Sequence, residues 1–341
     1  MFTTYQDSIQ LLKTLSFQKI FNYSKLYISY YISRILSKPI HLGMPASLGI
    51  EPTTSCNLRC PECPSGLRSF TRPTGMLDPE HFRKCIDEVH KKLIYLILYF
   101  QGEPYLNPHF LEMVKYATKK NIYTATSTNG HYLNDDNCKK TIESGLKRII
   151  ISIDGTTQET YSSYRIGGKL DKVLEGTRNL VAWKKKLNSP TPTILFQFLV
   201  VKPNEHQIEE VLKLGKEIGV DKVLLKTAQI YDYADGNELI PMLDKYSRYK
   251  LNPKSGKYEI KNNLLNHCWK LWQGAELTWD GRVLPCCFDK DAAYEMGKMP
   301  ESDFRSIWKG SAYTVFRAQV IKGREHIDIC RNCTEGTKVW G

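Results

Sequence analysis

From residue 46 onward, short apolar runs alternate with longer amphipathic segments, and this alternation limits the fold more than any other feature of the chain. Strand candidates are Ser47–Glu51, Ile94–Phe100, Ile122–Ser127, Arg148–Ile153, Ile194–Val201 and Lys222–Leu225. Helical periodicity falls between them, at Pro79–Lys91, Pro108–Lys120, Asp135–Ser144, Asp171–Lys185 and Glu205–Ile218. Strand and helix in strict alternation describe βα units around a parallel sheet. The expected class is therefore α/β, a partial (β/α)6 barrel of parallel strands. Each strand candidate runs into polar or glycine-bearing sequence: EPTTSC, QGEP, STNG, DGTT, KPNE and KTAQ. Ligands of parallel α/β folds bind beyond the carboxyl ends of the strands, so these six tails should meet at one site.

The first tail continues into CNLRCPECP, which places Cys56, Cys60 and Cys63 in one loop. The chain has ten cysteines in 341 residues, with no basic leader at its start and no apolar run near the ~20 residues that span a bilayer. The expectation is a cytoplasmic protein, where thiols serve metal or redox chemistry rather than disulfides. Three soft thiolates leave a tetrahedral metal one ligand short, and no fourth Cys or His stands at a familiar offset. A [4Fe-4S] cluster held by three cysteines has one iron free for a small molecule.

CxxxCxxC after the first strand of a βα repeat resembles the signature of radical S-adenosylmethionine (SAM) enzymes. The resemblance implies that the free iron chelates the amino and carboxylate groups of SAM. An electron from the cluster then cleaves SAM to methionine and a 5′-deoxyadenosyl radical that removes hydrogen from substrate. It extends to Gly102, Glu103 and Pro104, which match the family's GGEP segment except that Gln101 replaces the first glycine. It also takes in Asn129 of TNG, Ser152 and Asp154 of SIDG, and Arg165 of YRIGG, whose counterpart pairs with the SAM carboxylate. An arginine suits that task because its fork meets a carboxylate bidentately. Glu62 departs from the pattern, standing where many members have an aromatic residue near the adenine.

Cysteines return in the C-terminal part as Cx12GxxxxC, from Cys268 through Gly281 to Cys286, and later as Cys330-Arg-Asn-Cys333. This resembles the auxiliary-cluster domain called SPASM, or its shorter form Twitch. The resemblance implies one auxiliary [4Fe-4S] cluster on Cys268, Cys286, Cys330 and Cys333, with Cys287 open as an alternative to Cys286. A four-cysteine zinc site uses the same residues, and both readings stand at this stage. Cys85 and Cys138 are expected as buried helix residues.

Four segments follow: a helical extension over 1–45, the barrel over 46–230, a linker over 231–264 and the cysteine-rich domain over 265–341. In the extension, Ser24 is expected to cap a helix whose Tyr27, Tyr30, Tyr31 and Ile35 form a stripe. With Lys13, Lys19, Lys25, Arg34 and Lys38 against Asp7 alone, that stripe faces either the main domain or a membrane surface. The formal net charge of +12 comes with no nucleic-acid signature.

The resemblance implies oxidative modification of a peptide or small polar metabolite, an electron donor such as flavodoxin or ferredoxin, and for a peptide a separate recognition protein. The sequence singles out no catalytic acid or base. Sulfatase-maturing relatives carry an aspartate directly after the cysteine equivalent to Cys286, where this chain has Cys287 and, two positions on, Asp289. The reading from another class is a zinc-stapled basic module that binds nucleic acid without catalysis.

Overall fold

The computed structural model describes residues 5–333. Six parallel strands lie side by side in chain order: β1 (Ser47–Ile50), β2 (Tyr95–Ile97), β3 (Tyr123–Thr128), β4 (Arg148–Ser152), β5 (Thr193–Val200) and β6 (Lys222–Thr227). All six match the sequence expectation, most with ends trimmed or extended by one to three residues. Buried sequences such as RIIIS and TILFQFLV suit strands covered on both faces. Leu48, Ile50, Leu96, Leu98, Ile149, Ile151, Phe196 and Phe198 are fully buried in one core with the helices that return each strand to the next. Two of those helices start at side-chain caps: Asp78 accepts from the backbone of Glu80 and His81, and Asn134 from Asn137. Cys85 and Cys138 are fully buried helix residues, as expected.

The six-strand sheet does not end at β1. A hairpin, β7 (Tyr249–Leu251) with β8 (Tyr258–Ile260), occupies part of the segment read as a linker. After it, β9 (Gly274–Leu277) pairs in parallel with β1, from Ser47 opposite Gly274 to Ile50 opposite Leu277. Two antiparallel strands follow outward, β10 (Arg282–Leu284) and β11 (Gly297–Lys298), to give a nine-stranded sheet. The cysteine-rich segment thus continues the barrel's own sheet.

The N-terminal segment also packs closely on the barrel. Helix α1 (Tyr5–Leu12) carries Asp7, whose buried carboxylate receives Arg148, Tyr123 and Thr193. Those three residues open β4, β3 and β5, so α1 closes the amino end of the sheet, opposite the strand tails. Helix α2 (Phe17–Leu36) begins earlier than its tyrosines suggest: Ser16 is the cap, and Ser24 lies inside the helix with its hydroxyl donating to the Ile20 carbonyl. The apolar periodicity reaches back through Phe21 and Ile20 to Phe17, and so does the helix. Of the expected stripe only Tyr30 is buried, donating to or accepting from His267 Nδ1 at 2.7 Å and packing edge-on to Trp269 and Trp272; half-exposed Tyr27 also meets the edge of Trp269. Tyr27, Tyr31 and Ile35 are exposed.

Candidate functional site

The tail of β1 carries CNLRCPECP over the carboxyl ends of the strands. Cys63 leads into a one-turn helix, Pro64–Leu67, and Arg59 N–H bonds to the Ile166 carbonyl across the mouth. Cys56, Cys60 and Cys63 line one cavity of about 120 Å³, together with Gly102, Glu103, Asn129, Ser152 and Arg165. These residues come from the tails of β1 to β4 and the loop after β4. A second cavity of about 380 Å³ shares Cys56 and Ser65 with the first and adds Arg68 and Phe70. Burial pushes the Cys56 thiol up to about 11 and raises Cys60 as well, so both stay protonated until a metal displaces the proton.

The neighbouring side chains are tightly held. Gly102 has φ +74°, and a Cβ there would lie 2.2 Å from the Thr53 carbonyl oxygen, so only glycine lets the second tail approach the first. Its N–H donates to Ser65 Oγ at 2.9 Å. Glu103 is buried with its carboxylate accepting from Thr128 Oγ1 (2.7 Å) and Asn129 N–H (2.7 Å), while its own N–H bonds to the Ser55 carbonyl. Burial raises it to about 7. Glu103 therefore braces the tails of β1 and β3, and Pro104 starts the turn beyond it. Asn129 Nδ2 reaches Asn57 Oδ1 at 2.7 Å and Cys56 Sγ at 3.9 Å.

Arg165 Nε donates to Asp154 Oδ2 at 2.5 Å, and Nη1 lies 3.7 Å from Cys60 Sγ. Asp154 is fixed in turn by Leu199 N–H at 2.7 Å. A single acidic side chain thus aims one face of the guanidinium and leaves its far edge toward the thiols. Gln101, the departure from GGEP, accepts from Cys63 Sγ at 3.9 Å. Glu62, the other departure, accepts from Tyr231 N–H at 2.9 Å, and Lys290 lies 4.8 Å from the Tyr231 ring centroid. An aromatic residue absent from the cysteine loop is therefore supplied beside it from the chain after β6, which no local sequence pattern could have revealed.

The loop after the thiols is pinned by Arg72, which meets Glu51 bidentately at 2.9 and 2.6 Å. Asp291 of the C-terminal segment accepts from both the backbone and the hydroxyl of Thr71. The two cysteine-bearing parts are stitched together at this point.

Cys268, Cys286, Cys330 and Cys333 line another cavity, whose remaining walls include Leu271, Phe316, Val320 and Ile329 with Lys270 and Arg324. Cys287 is not among the lining residues; it hydrogen-bonds the neighbouring Cys286 thiol and accepts from Lys270 Nζ at 2.9 Å. The Cx12GxxxxC glycine has a steric reason: Gly281 has φ +90°, and a Cβ would lie 2.1 Å from the Met299 carbonyl oxygen. Asp289 is buried, its carboxylate accepting from Ala293 and Tyr294 N–H groups, so it anchors a turn. Glu276, on β9, is 6 % exposed and is raised to about 8 by burial, with Cys287 adding to the effect. Lys270 and Arg324, cations beside this thiol group, were missed by sequence reasoning because they stand outside every cysteine motif. Among the described residues, no three Cys, His, Asp or Glu side chains converge as they would on a single metal ion.

The donor sets fit iron-sulfur clusters: three thiols around a polar cavity, and four around a largely apolar one. Residues 50–215 match the model of the radical SAM superfamily, and residues 268–334 match that of an iron-sulfur cluster-binding domain, SPASM. The tungsten-containing aldehyde ferredoxin oxidoreductase cofactor-modifying protein of Pyrococcus furiosus is 27 % identical over 300 residues, 79 % of this chain and 82 % of that protein. The AdoMet-dependent heme synthase of Methanosarcina barkeri is 25 % identical over 334 residues, 85 % of this chain and 91 % of that protein. Among solved structures, SuiB of Streptococcus suis bound to S-adenosylmethionine shares the fold with a TM-score of 0.63 at 13 % identity, over 88 % of this chain and 74 % of that one.

Proposed function

The chain belongs to the radical SAM superfamily and carries a C-terminal SPASM domain, and from that premise we propose that it oxidatively modifies a peptide or a small polar metabolite. It is an enzyme whose cofactors are SAM, the [4Fe-4S] cluster of this family and auxiliary iron-sulfur. The SPASM match supersedes the zinc-stapled module. In this reading Cys56, Cys60 and Cys63 hold the cluster that binds SAM, and Cys268, Cys286, Cys330 and Cys333 hold one auxiliary cluster. Together the groups supply one-electron cleavage of SAM, hydrogen abstraction from substrate, and a sink for the second electron.

The chain's own residues position and seclude. Arg165, aimed by Asp154, takes the SAM carboxylate. Gly102 lets backbone acceptors approach the SAM amino group, while Asn129 and Ser152 border the same space. Glu103 binds nothing itself in this scheme; it keeps the tails of β1 and β3 in register. Tyr231, bonded through its N–H to Glu62, and Tyr99, which lines the cavity, bring aromatic rings beside the thiol loop.

The observation that carries the reading is the division of seven thiols between two cavities, three with polar neighbours and four with mostly apolar ones. Relatives point to both substrate classes: one is named for modifying a cofactor, another for heme synthesis, and SuiB has been solved with a precursor peptide. The electron donor in this reading is a flavodoxin or ferredoxin, and a peptide substrate would come with a separate recognition protein. No described helix is long and apolar enough to cross a membrane.

Anaerobically purified protein should be brown, with about eight irons per chain for two cubane clusters. Fractionated, deuterium-labelled peptides and metabolites are then offered with SAM and reductant. Transfer of deuterium into 5′-deoxyadenosine identifies the substrate. A colourless protein that never cleaves SAM would defeat the reading.

A further inference from the structure

Helix α2 buries a mixed side, Leu26 and Tyr30 among Lys19, Asn22, Ser29 and Ser33, and leaves its more apolar side uncovered. Leu26 and Tyr30 pack inward, with Asn22 holding both the N–H and the carbonyl of Met44 at 2.8 Å. The opposite side presents Phe17, Ile20, Phe21, Ile28, Tyr31 and Ile35, all at least 40 % exposed. At 100° per residue their positions all fall on one face of the 20-residue helix, interrupted only at Ser24 and Lys25, so they form one stripe about 30 Å long. A continuous apolar stripe left uncovered on a helix marks a face that meets a second apolar medium.

The charge around the stripe selects the second medium. From Ser8 to Ile50 the chain contains no acidic residue, and Asp7 is buried against Arg148. Lys13, Lys25, Arg34 and Lys38 are exposed. Two of these heads lie over rings: Lys25 4.4 Å from the Phe21 centroid, and Arg34 5.5 Å from Tyr31. Lys309 belongs to the same group, held down to about 8 by burial, by Arg317 and Arg305, and by Lys25. Two copies meeting through this face would oppose cation to cation with no acid between them. Aromatic rings flanked by lysine and arginine suit the boundary between headgroups and acyl chains of an anionic bilayer.

We propose that the exposed face of α2 docks the enzyme on the surface of anionic membranes, with the helix lying in the interface plane. Lys19 of α2 donates to the Asn121 carbonyl just before β3, so α2 begins at the amino end of the sheet, the end opposite the strand tails.

The test is co-sedimentation of the intact, cluster-loaded protein with phosphatidylcholine vesicles, with and without about 30 % phosphatidylglycerol as the anionic lipid. Binding should require the anionic lipid and fall steeply as salt rises, since screening acts within ~10 Å at 0.1 M. Phe21→Glu with Ile28→Glu should cut binding by at least about tenfold while SAM cleavage is unchanged. Lys25→Glu with Lys38→Glu, which leaves the stripe intact, should weaken binding and flatten its salt dependence. Two results would overturn the proposal: wild-type protein that stays in the supernatant with anionic vesicles, or a wild-type dimer that the Phe21/Ile28 variant converts to monomer.

Discussion

The two thiol cavities are built from the same element of chemistry and differ in everything around it. In the first, three sulfurs share their walls with Glu103, Asn129, Ser152 and Arg165, and a larger cavity adjoins. In the second, four sulfurs are enclosed largely by Leu271, Phe316, Val320 and Ile329. A polar wall with a missing thiol suits a site that must bind and turn over a reactant. An apolar wall with a full set suits one that only exchanges electrons, because burial and neighbouring charge tune its potential. Lys270 and Arg324 beside the second group are the charges placed to do that tuning.

The division can be broken most directly by replacing Cys56, Cys60 and Cys63 together with Ala. SAM cleavage should fall to background while about four irons per chain remain; cleavage that persists would erase the distinction. Next in size, Cys330→Ala with Cys333→Ala should remove about four irons and abolish product formation, yet leave SAM cleavage without substrate measurable. Loss of both activities together would mean that the sites are not separable.

Arg165→Lys keeps the charge but loses the fork, and SAM affinity should drop by about tenfold to a hundredfold in a binding titration. Unchanged affinity would remove Arg165 from the polar cavity's function. Glu276 tests a buried carboxyl on the Cys286 side. Its carboxyl binds its proton more tightly folded than unfolded, so its contribution to stability is full below about 4.5 and is lost as pH rises through about 8. Glu276→Gln should therefore leave apoprotein stability near pH 5 alone and raise it near pH 8.5 by on the order of 1–3 kcal/mol, measured by denaturant unfolding. Smallest of all, Cys287→Ala should leave the iron content unchanged, whereas Cys286→Ala should lower it.

Much of this was readable in the residues because the pattern is local. Period-two and near-continuous apolar runs marked all six parallel strands, and CxxxCxxC with GEP, TNG and SIDG marked the tails that now border one cavity. What escaped the sequence was nonlocal. GAEL carries no sign that it pairs with SLGI at the far end of the chain, yet that register joins the cysteine-rich segment to the barrel's sheet. Ser24 looked like a cap because tyrosines follow it, while the apolar side that decides the helix start is the one facing away from the protein. Cys286 and Cys287 are indistinguishable by spacing; the backbone turn after β10 sends one to the cavity and the other to Lys270. Glu103 was legible as part of a motif, but only its hydrogen bonds reveal a brace.

The parallel pairing of β9 with β1 also has a bearing on biogenesis. β1 is among the first strands to leave the ribosome and β9 among the last, so an edge with unsatisfied backbone groups stands open for most of synthesis. Cutting the chain before residue 274 would make that exposure permanent and favour aggregation over an active barrel fragment. The same late pairing completes the tie between Thr71, beyond the first thiol loop, and Asp291, so the loop's surroundings are finished only when the C-terminal segment is in place.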